Sequence, residues 1–184
     1  MPGINWIPIK PATNGALYAA IAQYLIENKT YNEDFLSYPS QKAAWNAGWG
    51  AHSNATHLVI VDESHPNYHK IMRPADAGLT DPQEKDSSGK AITQYVCIDA
   101  ATGEPALHTA CSKADLYFEG EVNGVAVRTG FLMLKDSVNA YTVEEYAEIT
   151  GIPVEELQRM GKEYGSHGYK VSVNAAAGST AGTN

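Results

Sequence analysis

The chain has 184 residues, 43% of them hydrophobic, enough for one domain with a proper core. Its formal net charge of -8 argues against nonspecific binding to DNA, RNA or an anionic membrane. No apolar run approaches the roughly 18 residues that a membrane span needs, and Met1-Pro2-Gly3 lacks the basic start and apolar stretch of a secretory signal.

Residues 4–80 read as α/β. Ile4-Asn5-Trp6-Ile7-Pro8-Ile9 predicts a short strand, and Gly15–Asn28 predicts a helix because Leu17, Ile21, Tyr24 and Leu25 recur at helical spacing. The turn between them, Lys10-Pro11-Ala12-Thr13-Asn14, is small and polar. It has two readings. Thr13 or Asn14 can cap the helix by accepting from its free N–H groups. Alternatively, a polar or anionic ligand docks where a strand's carboxyl end meets a helix N-terminus, with Gly15 permitting close backbone approach and Lys10 available to a phosphate. Neither a GxGxxG nor a GxxxxGK[ST] motif is present. A short helix is expected through Lys42–Trp45, and Thr56–Asp62 is a β-branched run of the kind buried on both faces of a sheet. His65 and His69 lie four apart, a spacing that suits a metal only on a helix, and Pro66 argues against one, leaving a solvated loop.

Residues 81–134 change character and are expected to form an inserted β-hairpin arm within the domain. Thr80–Lys90 is a polar loop, and Asn123-Gly124 between alternating apolar residues is a hairpin turn signal. Cys97 and Cys111 form no CxxC pair, so they are either two buried thiols or a disulfide. Residues 136–184 return to helices: Thr142, a capping-type residue ahead of Glu144 and Glu145, begins one that stops at Gly151, and Pro153 opens another that leaves through Gly165 and Gly168. Tyr169–Ala175 is expected to be a strand, feeding a run of small residues at 175–184 that exposes backbone to a neighbour. Such abrupt ends lead to the expectation of a piece of a longer chain. No catalytic residue and no metal ligand set is identified, since no nucleophile motif occurs and the acidic pairs Glu144/Glu145 and Glu155/Glu156 suit first helical turns.

The order of these motifs is informative. The stretch from Trp6 to Leu36, containing IPIKPATNGALYAAIAQYLIENKTYNEDFL, resembles a segment of the molybdopterin oxidoreductases of the DMSO reductase superfamily. The stretch from Tyr141 to Asn184 is similar to a second, downstream segment of the same superfamily. Between them, NATHLVIVDESHPNYHKIMRPADAGL and the YVCID segment resemble its tetrathionate reductase branch. The resemblance implies an α/β, Rossmann-like domain with a parallel sheet flanked by helices and a β-hairpin insertion at 81–134. Residues 1–184 would be one domain holding the guanosine end of a bis-molybdopterin guanine dinucleotide, inert by itself.

It further implies a parent chain with molybdenum and a 4Fe-4S cluster outside these residues, exported to the periplasm by a twin-arginine leader. That parent would reduce tetrathionate to thiosulfate. Its partners would be an iron–sulfur electron-transfer subunit, plus a membrane anchor subunit, and no nucleic acid. Alternatives are an arsenate, polysulfide or thiosulfate reductase of the superfamily, or a non-catalytic nucleotide-binding module. The superfamily's Pro-Gly-Thr-Asp turn falls on Pro11, Ala12, Thr13 and Asn14, beside Lys10 and Gly15, and its terminal glycine motif falls on Gly178, Ser179 and Thr180. An aspartate accepts two guanine N–H groups at once, whereas Asn14 offers one acceptor and one donor set without charge.

Overall fold

The computed structural model describes residues 6–170. In chain order the elements are helix α1 (Asn14–Glu27), α2 (Glu33–Leu36), α3 (Gln41–Asn46), strands β1 (Leu58–Ile60), β2 (Val96–Ile98), β3 (Pro105–Leu107), β4 (Glu119–Val122) and β5 (Val125–Thr129), then α4 (Gly130–Val138), α5 (Val143–Thr150), α6 (Val154–His167) and a 3-10 turn (Gly168–Lys170). They fall into two units: the segments up to Asn32 and from Lys135 onward form one, and Glu33–Leu134 forms the other.

In the first unit α1, α5 and α6 enclose Ala20, Tyr146, Ile152 and Leu157, with Leu17, Ala16 and Val143 packed around them. Ile7 and Ile9 join this core. No strand forms over Trp6–Lys10, although a strand is predicted there from Ile4; Ile4 and Asn5 lie outside the described residues. Helix α5 begins as its sequence predicts: Glu145 N–H donates to Thr142 Oγ1 at 3.2 Å while Thr142 N–H donates to Glu145 Oε2 at 2.7 Å. It ends at Gly151, whose φ of 74° is a left-handed conformation that side chains resist. Pro153 sits at the N-cap of α6 instead of within its first turn, and its carbonyl accepts from Glu156 and Leu157. The exposed face of α6 carries Arg159 between Glu156 and Glu163, both at 2.7 Å.

Helices α1 and α6 approach closely through two glycines one turn apart. A Cβ on Gly161 would lie 2.5 Å from the Tyr24 ring, and one on Gly165 would lie 2.6 Å from Thr30 Oγ1. A polar side chain crosses this core without penalty: buried Gln23 donates to the Tyr141 carbonyl at 2.9 Å.

The second unit holds two small sheets, both antiparallel among the described residues. One has the order β1-β5-β4 and the other pairs β2 with β3. The β4–β5 hairpin turns at Asn123 (φ 51°) and Gly124 (φ 74°), the two positive values that a two-residue turn of the favoured twist demands. Its tip is tied down by Asn123 Nδ2 donating to the Asp76 carbonyl at 3.1 Å.

Strand β1 lies between β5 on one side and residues 69–72 on the other, where Met72 N–H donates to Leu58 O at 2.7 Å and Ile60 N–H donates to Lys70 O at 3.0 Å. That central position explains the continuous apolar run from Leu58 to Val61. Leu58, Ile60, Met72, Val96, Ile98, Val122 and Val127 form the core. This unit begins at Glu33, ahead of the compositional change at 81, because the register Leu58↔Thr129 draws β1 into the same sheet as the hairpin.

No helix among the described residues is long and apolar enough to cross a membrane. The glycine contact at α1–α6 gives a stability test. Gly161→Ala should cost about 1–3 kcal/mol, since Tyr24 must move off its rotamer. Gly50→Ala, with nothing within 4 Å of its Cβ position, should change little. Urea unfolding midpoints of the two variants check the contrast.

Candidate functional site

The residues assigned to ligand binding near the amino end converge on the leading turn of α1. Lys10 is held from both ends: its N–H donates to Thr150 O at 2.9 Å and its ammonium donates to Glu148 O at 2.6 Å. The cation therefore sits at the carboxyl end of α5, where helix carbonyls favour positive charge. Its stem runs over Gly151, whose Cβ would lie 3.2 Å from Lys10 Cγ.

Pro11 and Ala12 make the turn, and Ala12 has φ 63°. Thr13 occupies the N-cap position but its side chain does not cap. Its ψ of 15° lies far from the extended value that aims a hydroxyl at the first-turn N–H groups, and Oγ1 instead donates to Lys10 O at 2.7 Å. The first turn of α1 contains no acidic residue, whereas α5 and α6 carry Glu144/Glu145 and Glu155/Glu156 there. Thr13, Asn14 and Gly15 are partly exposed. Gly178, Ser179 and Thr180, and the strand expected over Tyr169–Ala175 from Val171 onward, lie outside the described residues.

The second unit has a cleft of about 520 Å³ bounded by Asp34, Asp99, Lys113, Asp115 and Tyr117 among others. Its polar groups are mutually engaged. Lys113 Nζ meets Asp34 Oδ1 at 2.6 Å, and that contact holds the Asp34 carboxyl below, and the Lys113 ammonium above, their ordinary ranges. Asp99 accepts from Ala101 N–H at 2.8 Å and Asp115 from Tyr117 N–H at 2.7 Å.

Two histidines with no pairing signal in the sequence come together here. His57 and His108 lie 5.2 Å apart edge to face, both within 5.5 Å of Tyr95, over which Arg73 sits at 5.0 Å. His57 Nε2 donates to Pro39 O at 2.9 Å, and His108 Nδ1 accepts from Tyr95 N–H at 3.2 Å, which fixes the neutral tautomers. Burial lowers both imidazole pKa values, His108 to about 4. Separations of tens of residues hid this cluster from any spacing argument. His65 and His69 diverge: His65 Nδ1 accepts from Asn67 N–H at 3.1 Å, and His69, at φ 60°, stacks on Tyr68 at 3.8 Å. Among the described residues no group of three or more His, Cys, Asp or Glu side chains could hold a metal ion.

No protein-family profile matches the chain. Individual proteins do. Over 182 residues, 98% of this chain, it is 28% identical to a selenate reductase subunit from Mesobacillus selenatarsenatis, covering 16% of that protein. It is 29% identical to a tetrathionate reductase subunit from Salmonella typhimurium over 188 residues, again 98% of the chain and 17% of the relative. A sulfite dehydrogenase subunit from Allochromatium vinosum is 29% identical over 164 residues, 88% of the chain and 15% of the relative. The chain thus spans about a sixth of the length of the curated relatives it matches.

Two measurements follow from these sites. Ala12→Gly should stabilise the protein by about 1 kcal/mol, because the left-handed conformation at φ 63° strains a Cβ and not a glycine. Denaturant titration reads this. For the histidine cluster, both imidazoles are neutral in folded and unfolded chains above pH 6.5, the ordinary value. As pH falls below that, the unfolded chain binds protons first, so stability declines until about pH 4, where folded His108 also protonates. His108 alone should remove up to about 3 kcal/mol across that window, and His108→Gln should flatten the decline in chemical unfolding between pH 7 and 4.

Proposed function

We propose, from the chain's similarity to selenate reductase, tetrathionate reductase and sulfite dehydrogenase subunits, that it belongs to the DMSO reductase superfamily of molybdoenzymes and holds the guanosine end of a bis-molybdopterin guanine dinucleotide. The observation that carries the proposal is the similarity along 98% of the chain to two reductase subunits, combined with the form of the α1 leading turn. The residues there fit such a group. Thr13 leaves the helix start uncapped by its side chain.

Asn14 would read part of the guanine edge with one acceptor and one donor set. Gly15 would allow the backbone to come close, and Pro11 and Thr13 would shape the turn. Lys10 would act by fixing the turn to α5, its ammonium being already engaged by Glu148 O. Gly178, Ser179 and Thr180 are proposed as the second half of the cradle. When bound, the cofactor supplies two-electron oxygen- or sulfur-transfer chemistry at molybdenum; these residues bind and orient it.

The wider reading also belongs to this proposal. The parent protein would be a periplasmic, twin-arginine-exported respiratory reductase with a 4Fe-4S cluster. It would work with an iron–sulfur electron-transfer subunit, plus a membrane anchor. Its domain would be Rossmann-like, with a parallel sheet flanked by helices. Tetrathionate is the proposed substrate, supported by the tetrathionate reductase subunit among the relatives. Selenate is the second reading, because a selenate reductase subunit matches equally far along the chain. Turnover of each oxyanion by the purified full protein with reduced viologen separates them.

Asn14→Asp should tighten guanosine diphosphate binding by about tenfold, through a charge-assisted bidentate contact to the guanine edge. Asn14→Leu should abolish it. Calorimetric titration of the full chain measures both, and no binding by any form overturns the guanosine assignment.

A further inference from the structure

The two cysteines lie fourteen residues apart in sequence and side by side in space. Cys97 is central in β2, opposite Ala106 of β3, and fully buried; Cys111 is 4% exposed on the segment that follows β3. Their sulfurs are 3.5 Å apart, with the Cys97 thiol donating to Cys111. Each also contacts a β3 carbonyl: Cys97 that of Ala106 at 3.7 Å and Cys111 that of Leu107 at 3.5 Å. Ala106 and Ala114 complete a small apolar packet around them. Among the described residues no third His, Cys, Asp or Glu joins the pair in a group that could hold a metal.

The pair packs against Ala114, which lines the 520 Å³ cleft. Residues 113–117 line this cleft and are laid against the β2 side by Ala100 N–H to Lys113 O at 3.1 Å and Asp115 N–H to Ile98 O at 2.9 Å. Those contacts fall one and three residues after Cys97 and two and four residues after Cys111. A bond between Cys97 and Cys111 would make the attachment covalent.

We propose that Cys97 and Cys111 are a thiol–disulfide exchange site whose disulfide locks residues 108–117 onto the β2–β3 hairpin. The oxidant is a disulfide, either a low-molecular-weight one or that of a dithiol oxidoreductase. The Cys111 thiolate attacks one sulfur of the oxidant, forming a mixed disulfide and releasing the other sulfur as a thiolate. Cys97, deprotonated, then attacks Cys111 Sγ and expels the second oxidant sulfur. Two protein thiols are oxidised to one disulfide, one external disulfide is reduced to two thiols, and the two protons pass to the departing thiolates.

Donation from Cys97 lowers the pKa of Cys111 while that of Cys97 is raised, so the more exposed sulfur is also the readier nucleophile. Both sulfurs are buried, so exchange requires the 108–117 segment to open first and should be slow.

The test uses the full chain, reduced, freed of reductant and held in an oxidised-glutathione buffer. The sample is then acid-quenched, unfolded and alkylated. Peptide mass spectrometry should find Cys97 joined to Cys111 in most molecules. The thermal midpoint should rise by about 5–10 °C on oxidation, as expected for closing a loop of this size. Neither Cys97→Ala nor Cys111→Ala should show that rise. Full alkylation of both cysteines, or glutathione adducts without the cross-link, overturns the proposal. A cross-link without a rise in midpoint overturns the lock. The alkylation result on the unsubstituted chain stands even where a variant fails to fold.

Discussion

The start of α1 is fixed from outside itself. Its N-cap residue contributes no side-chain bond to the helix, yet the turn before it is pinned by two hydrogen bonds to the end of α5, one from the Lys10 backbone and one from its ammonium. The α5 terminus can receive Lys10 because its own last turn is closed locally. Gly151 N–H returns to Ala147 O at 2.8 Å and Thr150 Oγ1 donates to Tyr146 O at 2.7 Å. The remaining carbonyls of Glu148 and Thr150 then face the lysine. Position is thus transmitted from the α5 capping box, through the length of that helix, to the turn where α1 begins.

That arrangement changes what Lys10 can do. A lysine before a helix start invites a phosphate role, but a cation already on a helix-end carbonyl would have to exchange that bond for a new one. The first turn of α1 itself carries no acidic residue. Ala12 carries a methyl group at φ 63°, a left-handed backbone value that strains a side chain.

Local chemistry was the readable part of the fold. The reciprocal Thr142–Glu145 cap, the Gly151 stop and the Asn123-Gly124 turn are each decided by a few adjacent residues, and each forms as its sequence says. What could not be read depends on distant partners. The α1–α6 crossing hinges on Gly161 and Gly165 meeting Tyr24 and Thr30, and nothing around those glycines announces a partner more than a hundred residues away. Likewise the segment around β1 looks like the strand of a buried sheet, but composition cannot say that its neighbours are β5 and the returning residues 69–72, both antiparallel to it.

The candidate sites divide along the same line. Lys10 to Gly15 is contiguous, so the turn was legible, while the commitment of Lys10 to Glu148, 138 residues on, was not. The His57–His108–Tyr95 cluster was invisible for the same reason, and its function in the folded chain is evident from its bonding. Each imidazole uses one nitrogen on a main-chain group, and burial keeps both neutral. Such a cluster holds the loop around residue 39 and the start of β2 in register by hydrogen bonding, without requiring charge. The chain thus ties main-chain segments in place through partners far along the sequence, a helix-end carbonyl for Lys10 and neutral buried imidazoles for Pro39 and Tyr95, so that these backbone groups are positioned in advance.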